Sequence, residues 1–117
     1  MAEQASNCLF CKIAAREVDA KIVHESDNVV AFRDVNPQAP THILLIPKDH
    51  IESVAAIGSS QAKLLAEIMA SATHLAKAEG LEGGWRLVTN VGPDAGQSVQ
   101  HLHFHLLGGR KFRWPPG

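Results

Sequence analysis

Residues 101–107 read His-Leu-His-Phe-His-Leu-Leu. Alternation at period two describes a strand with two unlike faces: His101, His103 and His105 on one, Leu102, Phe104 and Leu106 on the other. The apolar face must be covered. The imidazole face has no structural reason to exist, because outward strand positions are ordinarily filled by Thr, Lys, Glu or Gln. The cover is a second periodic stretch, in which Leu64, Leu65, Ile68, Met69, Ala72, Leu75 and Ala76 recur at helical spacing. Ser59-Ser60 is its expected N-cap and Gly80 its expected stop. A helix of about 20 residues spans roughly 30 Å, the width of a small domain.

The remaining segments are short. Leu9 to Arg16 is expected to form a short helix with Phe10 and Ile13 on one side. Residues 21–24 and 28–34 read as two strands around the polar turn Glu25-Ser26-Asp27. Asn36-Pro37-Gln38-Ala39-Pro40 is a turn, since two prolines disfavour a continuing helix or ladder. Thr41 to Ile46 is a strand stopped by Pro47, Trp85 to Val91 another, and Gly92 to Gly96 a loop. The last strand is expected from about Gln100 to Leu107, after which Gly108-Gly109 releases an irregular tail. Hairpin, strand, long helix and two strands imply an α+β fold with helices packed on an antiparallel sheet.

The sequence has 117 residues, enough to bury roughly two-thirds of its unfolded surface in one core. A single domain over 1–117 is expected, with 1–7 a flexible leader and 108–117 a C-terminal tail. With 45% hydrophobic and 20% charged residues the chain is globular rather than disordered. A net charge of −1 gives no reason to expect nucleic acid or an anionic membrane as partner. The basic-aromatic tail offers no stacking platform for RNA. The longest aliphatic run, Ile43 to Ile46, falls far short of the roughly 20 residues of a membrane span. The first seven residues have neither basic patch nor apolar stretch, so a soluble cytoplasmic protein without a secretory signal is expected.

Two chemistries suit the histidine row. Neutral imidazole is the commonest metal ligand, but His101 and His105 would lie about 13 Å apart on a straight strand, too far to share one ion. Phosphoryl chemistry fits better: the central imidazole attacks phosphorus, and cationic neighbours hold phosphate oxygens. Just upstream, Gly96-Gln97-Ser98 offers a sharp backbone turn whose amides can face an anion, plus a hydroxyl donor.

Together these features resemble the histidine triad (HIT) family of nucleotide hydrolases and transferases. The stretch from Asp34 to Lys48 is similar to that family's second strand pair. Gly96-Gln97-Ser98 and the ending Gly108-Gly109-Arg110 with Trp114-Pro115-Pro116-Gly117 resemble its Hint branch. A full third histidine, His105, sets the chain apart from the galactose-1-phosphate uridylyltransferase branch, and the tail sets it apart from Fhit-type hydrolases. The resemblance implies a homodimer whose subunits are five-stranded antiparallel sheets with one long and one short helix. It also implies hydrolysis of purine nucleoside phosphoramidates or aminoacyl adenylates, with adenosine 5′-monophosphoramidate as the type substrate. His103 would be the nucleophile, forming a nucleotidyl-histidine that water hydrolyses, without a cofactor in the chemistry. His105 and His42 would contact phosphate oxygens, with Asn90, Gly96, Gln97 and Ser98 completing the pocket. Asp34 would accept the ribose hydroxyls. Phe10, Ile13, Val18, Phe32 and Val35 would wall the base, and Trp114 would approach the partner subunit's site. Read without the family, Asp34 is an Asx-turn residue, the apolar group is core, Asn90 ends a strand and Trp114 belongs to a basic-aromatic end.

Cys8 and Cys11 are spaced as half a zinc site, which needs two more nitrogen or sulfur ligands. His50 and His101 are the candidates, and the arrangement resembles that of microbial members of the family. A structural zinc would tie the N-terminal helix to the histidine row. The competing readings are a redox pair, which lacks the thioredoxin-type βαβ context, and two inert thiols. A zinc-stabilised nucleotide-binding or scaffold protein with little catalysis is the alternative function. His24 and His74 have no motif around them and read as surface residues.

Overall fold

The computed structural model describes residues 7–117, so the expected leader lies, but for Asn7, outside the described residues. Helix α1 is Leu9–Ala14, with Cys8 at its N-cap accepting the Cys11 amide on sulfur. It ends where Arg16 turns left-handed (φ 64°) and the Glu17 amide reaches back to the Lys12 carbonyl. Strands β1 (Ile22–Glu25), β2 (Val29–Arg33) and β3 (Thr41–Pro47) follow, then α2 (Ala62–Ala78), β4 (Trp85–Val88) and β5 (Phe104–Gly108). The sheet order is β1-β2-β3-β5-β4, antiparallel at every pairing. This is the α+β fold expected, with five strands, one main helix and one short one.

Strand β3 lies at the centre of the sheet, and all seven of its residues are buried. Its alternation divides the core into two layers. Ile43 and Leu45 join Val29, Ala31, Leu102, Phe104 and Leu106 against Ile68, Ala72, Leu75 and Ala76 of α2. Leu44 and Ile46 join Val30 and Phe32 against Phe10, Cys11 and Ile13 of α1. The long helix therefore covers one face and the short helix only part of the other. That uncovered part is where a site can open.

Several boundaries differ from those the sequence suggests. Ser59-Ser60 do not cap α2. They lie in a 3-10 turn, Ser59–Gln61, closed by Gln61 Oε1 accepting the Gly58 amide. The helix proper has 17 residues, about 25 Å. Pro47 ends β3 from inside the ladder, opposite Val29, and β4 stops at Val88 rather than Val91. The largest shift is in the last strand, which begins at Phe104 and not near Gln100. Residues 101–103 are drawn off the ladder: the Leu102 amide bonds the Ile51 carbonyl, and the His103 carbonyl accepts from Thr89 Oγ1.

The exit from β5 is tightly built. Gly109 has φ 92°, and a Cβ there would meet Pro40 Cβ at 2.9 Å. Gly109→Ala combines left-handed strain with a clash against a rigid ring, so a loss of about 1–3 kcal/mol is expected in urea unfolding.

Candidate functional site

On the α1 side of the sheet, a cleft of about 420 Å³ opens between α1, the end of β2 and the start of β5, within the usual range for small-molecule sites. His103 and His105 line it, with Ser98, Asp34, Phe10, Ile13, Val18, Phe32 and Val35. Nine residues singled out from the sequence thus share one cavity. Leu9, Asp19, Ala20, Arg33, Leu44 and Val99 complete the lining and were missed. Leu44 was legible, because period two puts it on the same face as His42.

The hydrogen bonds assign the tautomers. A carbonyl can only accept, so His103 Nδ1 donates to the His101 carbonyl at 2.7 Å and leaves the lone pair on Nε2. His42 Nδ1 accepts the Gln38 amide at 3.0 Å, so its proton is on Nε2, which donates to His105 Nδ1 at 2.9 Å. His105 then carries its own proton on Nε2. His42 thus stands one hydrogen bond behind His105. Phe10 holds the nucleophile candidate edge-on, with ring centroids 5.1 Å from His103 and 5.5 Å from Phe32. Asp34 fills two positions at once. Its Oδ1 accepts the Asn36 amide at 2.8 Å, the Asx turn, while Oδ2 lies 3.4 Å from His42 Nε2.

Burial, reinforced by the neighbouring His103 and His42, pushes His105 down to about 4. Burial also lowers His42, with Asp34 opposing. Burial thus disfavours the charged form of both His42 and His105, against the expectation of a cationic neighbour. Between about pH 6.5 and 4 the unfolded chain binds a proton at His105 that the folded chain refuses, and His42 contributes in the same direction. Stability must fall on acidification through that window, by up to about 1.4 kcal/mol per pH unit for His105. Glu25, Glu67 and Glu79, held low mainly by hydrogen bonds from Lys48, Ser26 and Arg33 respectively, add their losses only below the ordinary carboxylate range. Urea midpoints from pH 7 to 5 check this, and His105→Gln should flatten the slope.

Besides His42, which stands behind His105 and not at the cleft surface, four expected residues do not line this cleft. Asn90 is half-buried beyond the end of β4, and Gly96 sits left-handed (φ 85°) in the exposed loop. The Gln97 side chain is consumed by backbone, donating to Glu52 and Val99 carbonyls and accepting the Gly92 amide. It is a brace for the loop, not a ligand contact, because both ends of its amide are occupied. Trp114 is 82% exposed on the tail.

Behind the cleft lies a second cluster. Cys8, Cys11, His50 and His101 bring one donor atom each within 4.8 Å of one another. His101 Nδ1 is 3.3 Å from Cys8 Sγ and 3.5 Å from Cys11 Sγ, and His50 Nδ1 is 3.4 Å from Cys11 Sγ. Tetrahedral zinc with ordinary Zn–S and Zn–N bonds sets such donors about 3.5 Å apart, so the residues present fit the ion. The other nitrogen of His101 donates to the Pro47 carbonyl at 2.9 Å, turning the Nδ1 lone pair toward the sulfurs. No disulfide joins the two cysteines.

An imidazole row at the floor of a cleft, backed by a Cys₂His₂ cluster on an α+β sheet, defines a histidine triad protein. The HIT domain model matches residues 15–112, and the chain belongs to that family. It is 48% identical over 114 residues to the 14 kDa zinc-binding protein of Zea mays, covering 96% of this chain and 89% of that one. Among solved structures, a HIT family hydrolase from Legionella pneumophila is 55% identical, with a TM-score of 0.93 over 95% of this chain and 100% of that one. A HIT family hydrolase from Clostridium thermocellum is 47% identical, with a TM-score of 0.92 over 94% and 96%. Among the described residues no helix is long and apolar enough to cross a membrane.

Proposed function

We propose that this protein hydrolyses purine nucleoside phosphoramidates and aminoacyl adenylates, in the manner of the Hint branch. The observation that carries this reading is the His103 tautomer: with Nδ1–H given to the His101 carbonyl, the Nε2 lone pair is left for phosphorus. Nε2 attacks the α-phosphorus: with a phosphoramidate the P–N bond breaks and the amine leaves with a proton from solvent, and with an aminoacyl adenylate the P–O bond breaks and the amino acid leaves as its carboxylate. Water then attacks the same phosphorus, the P–Nε2 bond breaks, and the nucleoside monophosphate is released.

The rest of the cleft serves this displacement. His105 Nε2–H and the Ser98 hydroxyl donate to phosphate oxygens, and His42 holds the His105 ring in orientation. Asn90 and Gly96 would add to the phosphate pocket only through movement of their loops. Asp34 Oδ2 accepts the ribose hydroxyls, and Phe10, Ile13, Val18, Phe32 and Val35 take the base. In the proposed homodimer, the tail carrying Trp114 reaches the partner subunit's cleft, where an exposed indole would contact the leaving group. Cys8, Cys11, His50 and His101 would hold a structural zinc. With four protein donors such a site is closed, and the ion would supply cross-linking of segments.

The test is chemical. Rapid acid quench during turnover of adenosine 5′-monophosphoramidate should trap wild-type chain heavier by one adenylyl group, on the peptide containing His103. A burst of AMP without adduct would refute the covalent route. A second reading, a zinc-stabilised nucleotide binder with little catalysis, is favoured by the four-donor cluster alone. It predicts AMP binding with neither adduct nor turnover.

A further inference from the structure

Five of the seven histidines belong to the cleft or the Cys/His cluster, leaving His24 and His74, which lie fifty residues apart in sequence. The fold brings these two together. His24, on edge strand β1, and His74, on α2, have ring centroids 5.4 Å apart and planes inclined by 44°. The local backbone explains how. The β1–β2 register shifts between Ile22 and His24, a bulge that lets Val23 pack into the α2 layer while His24 also turns toward that helix. His74 is exposed on α2 and His24 half-buried. Among the described residues neither imidazole donates or accepts a hydrogen bond.

We infer that His24 and His74 form a two-imidazole site for a borderline transition-metal dication, separate from the Cys/His cluster. Two rings on one ion place each centroid about 3.2 Å from the metal when the M–N bond is about 2.1 Å. Two such rings on one ion can have centroids up to about 6.4 Å apart, so the observed separation of 5.4 Å lies within reach of a shared ion. Water completes the coordination, so the site is open and exchangeable. Imidazole nitrogen suits copper, nickel and zinc, with Cu²⁺ bound most tightly. A bound ion would clasp the sheet's edge strand to α2.

Cu²⁺ is the probe. Sub-stoichiometric Cu²⁺ is added to the zinc-loaded full chain, and paramagnetic broadening of amide resonances is mapped. Signals of residues 22–25 and 71–77 should broaden first, and His24→Gln or His74→Gln should each weaken Cu²⁺ binding at least tenfold. Because neither ring holds a hydrogen bond, both variants should keep the wild-type unfolding midpoint. Broadening centred instead on His42 and His105, or variants that bind within twofold of wild type, would overturn the site. The wild-type map decides the matter alone should a variant fail to fold.

Discussion

His103→Ala should lower turnover of adenosine 5′-monophosphoramidate by about four orders of magnitude or more, because no other group in the cleft can replace the attacking nitrogen. His105 cannot substitute: its Nδ1 accepts from His42 and its Nε2 carries a proton. Nucleotide binding should survive, since Asp34 and the apolar wall of Phe10, Ile13 and Phe32 remain. His105→Ala and Ser98→Ala each remove one phosphate donor and should cost about 10²–10³-fold at most. Steady-state rates beside AMP calorimetry separate these outcomes. A near wild-type rate in His103→Ala would end the nucleophile assignment. The kinetic gap between His103 and His105 would also distinguish an enzyme from a binding module, in which the two substitutions should perturb AMP affinity alike.

The alternation over 101–107 told correctly which side chains share a face, and failed on which residues form the ladder. Leu102, Phe104 and Leu106 all pack beneath α2, yet only residues from Phe104 onward are hydrogen-bonded as strand. Side-chain periodicity reports burial. It does not report that the Leu102 amide is claimed by Ile51, a partner about fifty residues away. The same distinction explains α2, whose apolar stripe was plain while its start was set by Gln61 rather than by the adjacent serines. The cleft was legible where a residue's type announces its chemistry, as with the imidazoles and Ser98, whereas Asp34 reads as a turn residue until the family resemblance is applied. It was not legible where an ordinary aliphatic residue lines it by position, as with Leu9 and Val99. Gln97 misled for the opposite reason: a polar side chain beside a phosphate-type loop is spent holding that loop closed. His24 and His74 show the limit most clearly, because no local signal could reveal that a bulge and a helix bring them together.

Metal removal should act on the cleft through the backbone. With zinc bound, His101 would have three fixed points: its Nδ1 on the ion, its Nε2 on the Pro47 carbonyl, and its own carbonyl on His103 Nδ1. Cys8 and Cys11 flank Phe10, whose ring lies against His103, so the same ion would also steady the proposed base wall. Chelation, or Cys11→Ser, releases α1, the segment after β3 and the turn at 101–103 together. The layer beneath α2 contains none of the four ligands, so the fold should persist. If free zinc stands a thousandfold above its dissociation constant, its loss should lower unfolding stability by about 4 kcal/mol. Hydrogen exchange should rise at the α1 amides and at 101–103 while β2 and β3 stay protected. Turnover should fall about 10–100-fold, the scale of a lost outer-shell support rather than of a lost nucleophile. A chelated protein with one zinc fewer but unchanged exchange at α1 would show that packing of Phe10 and Ile13 alone holds that helix, and that the ion has no hold on His103.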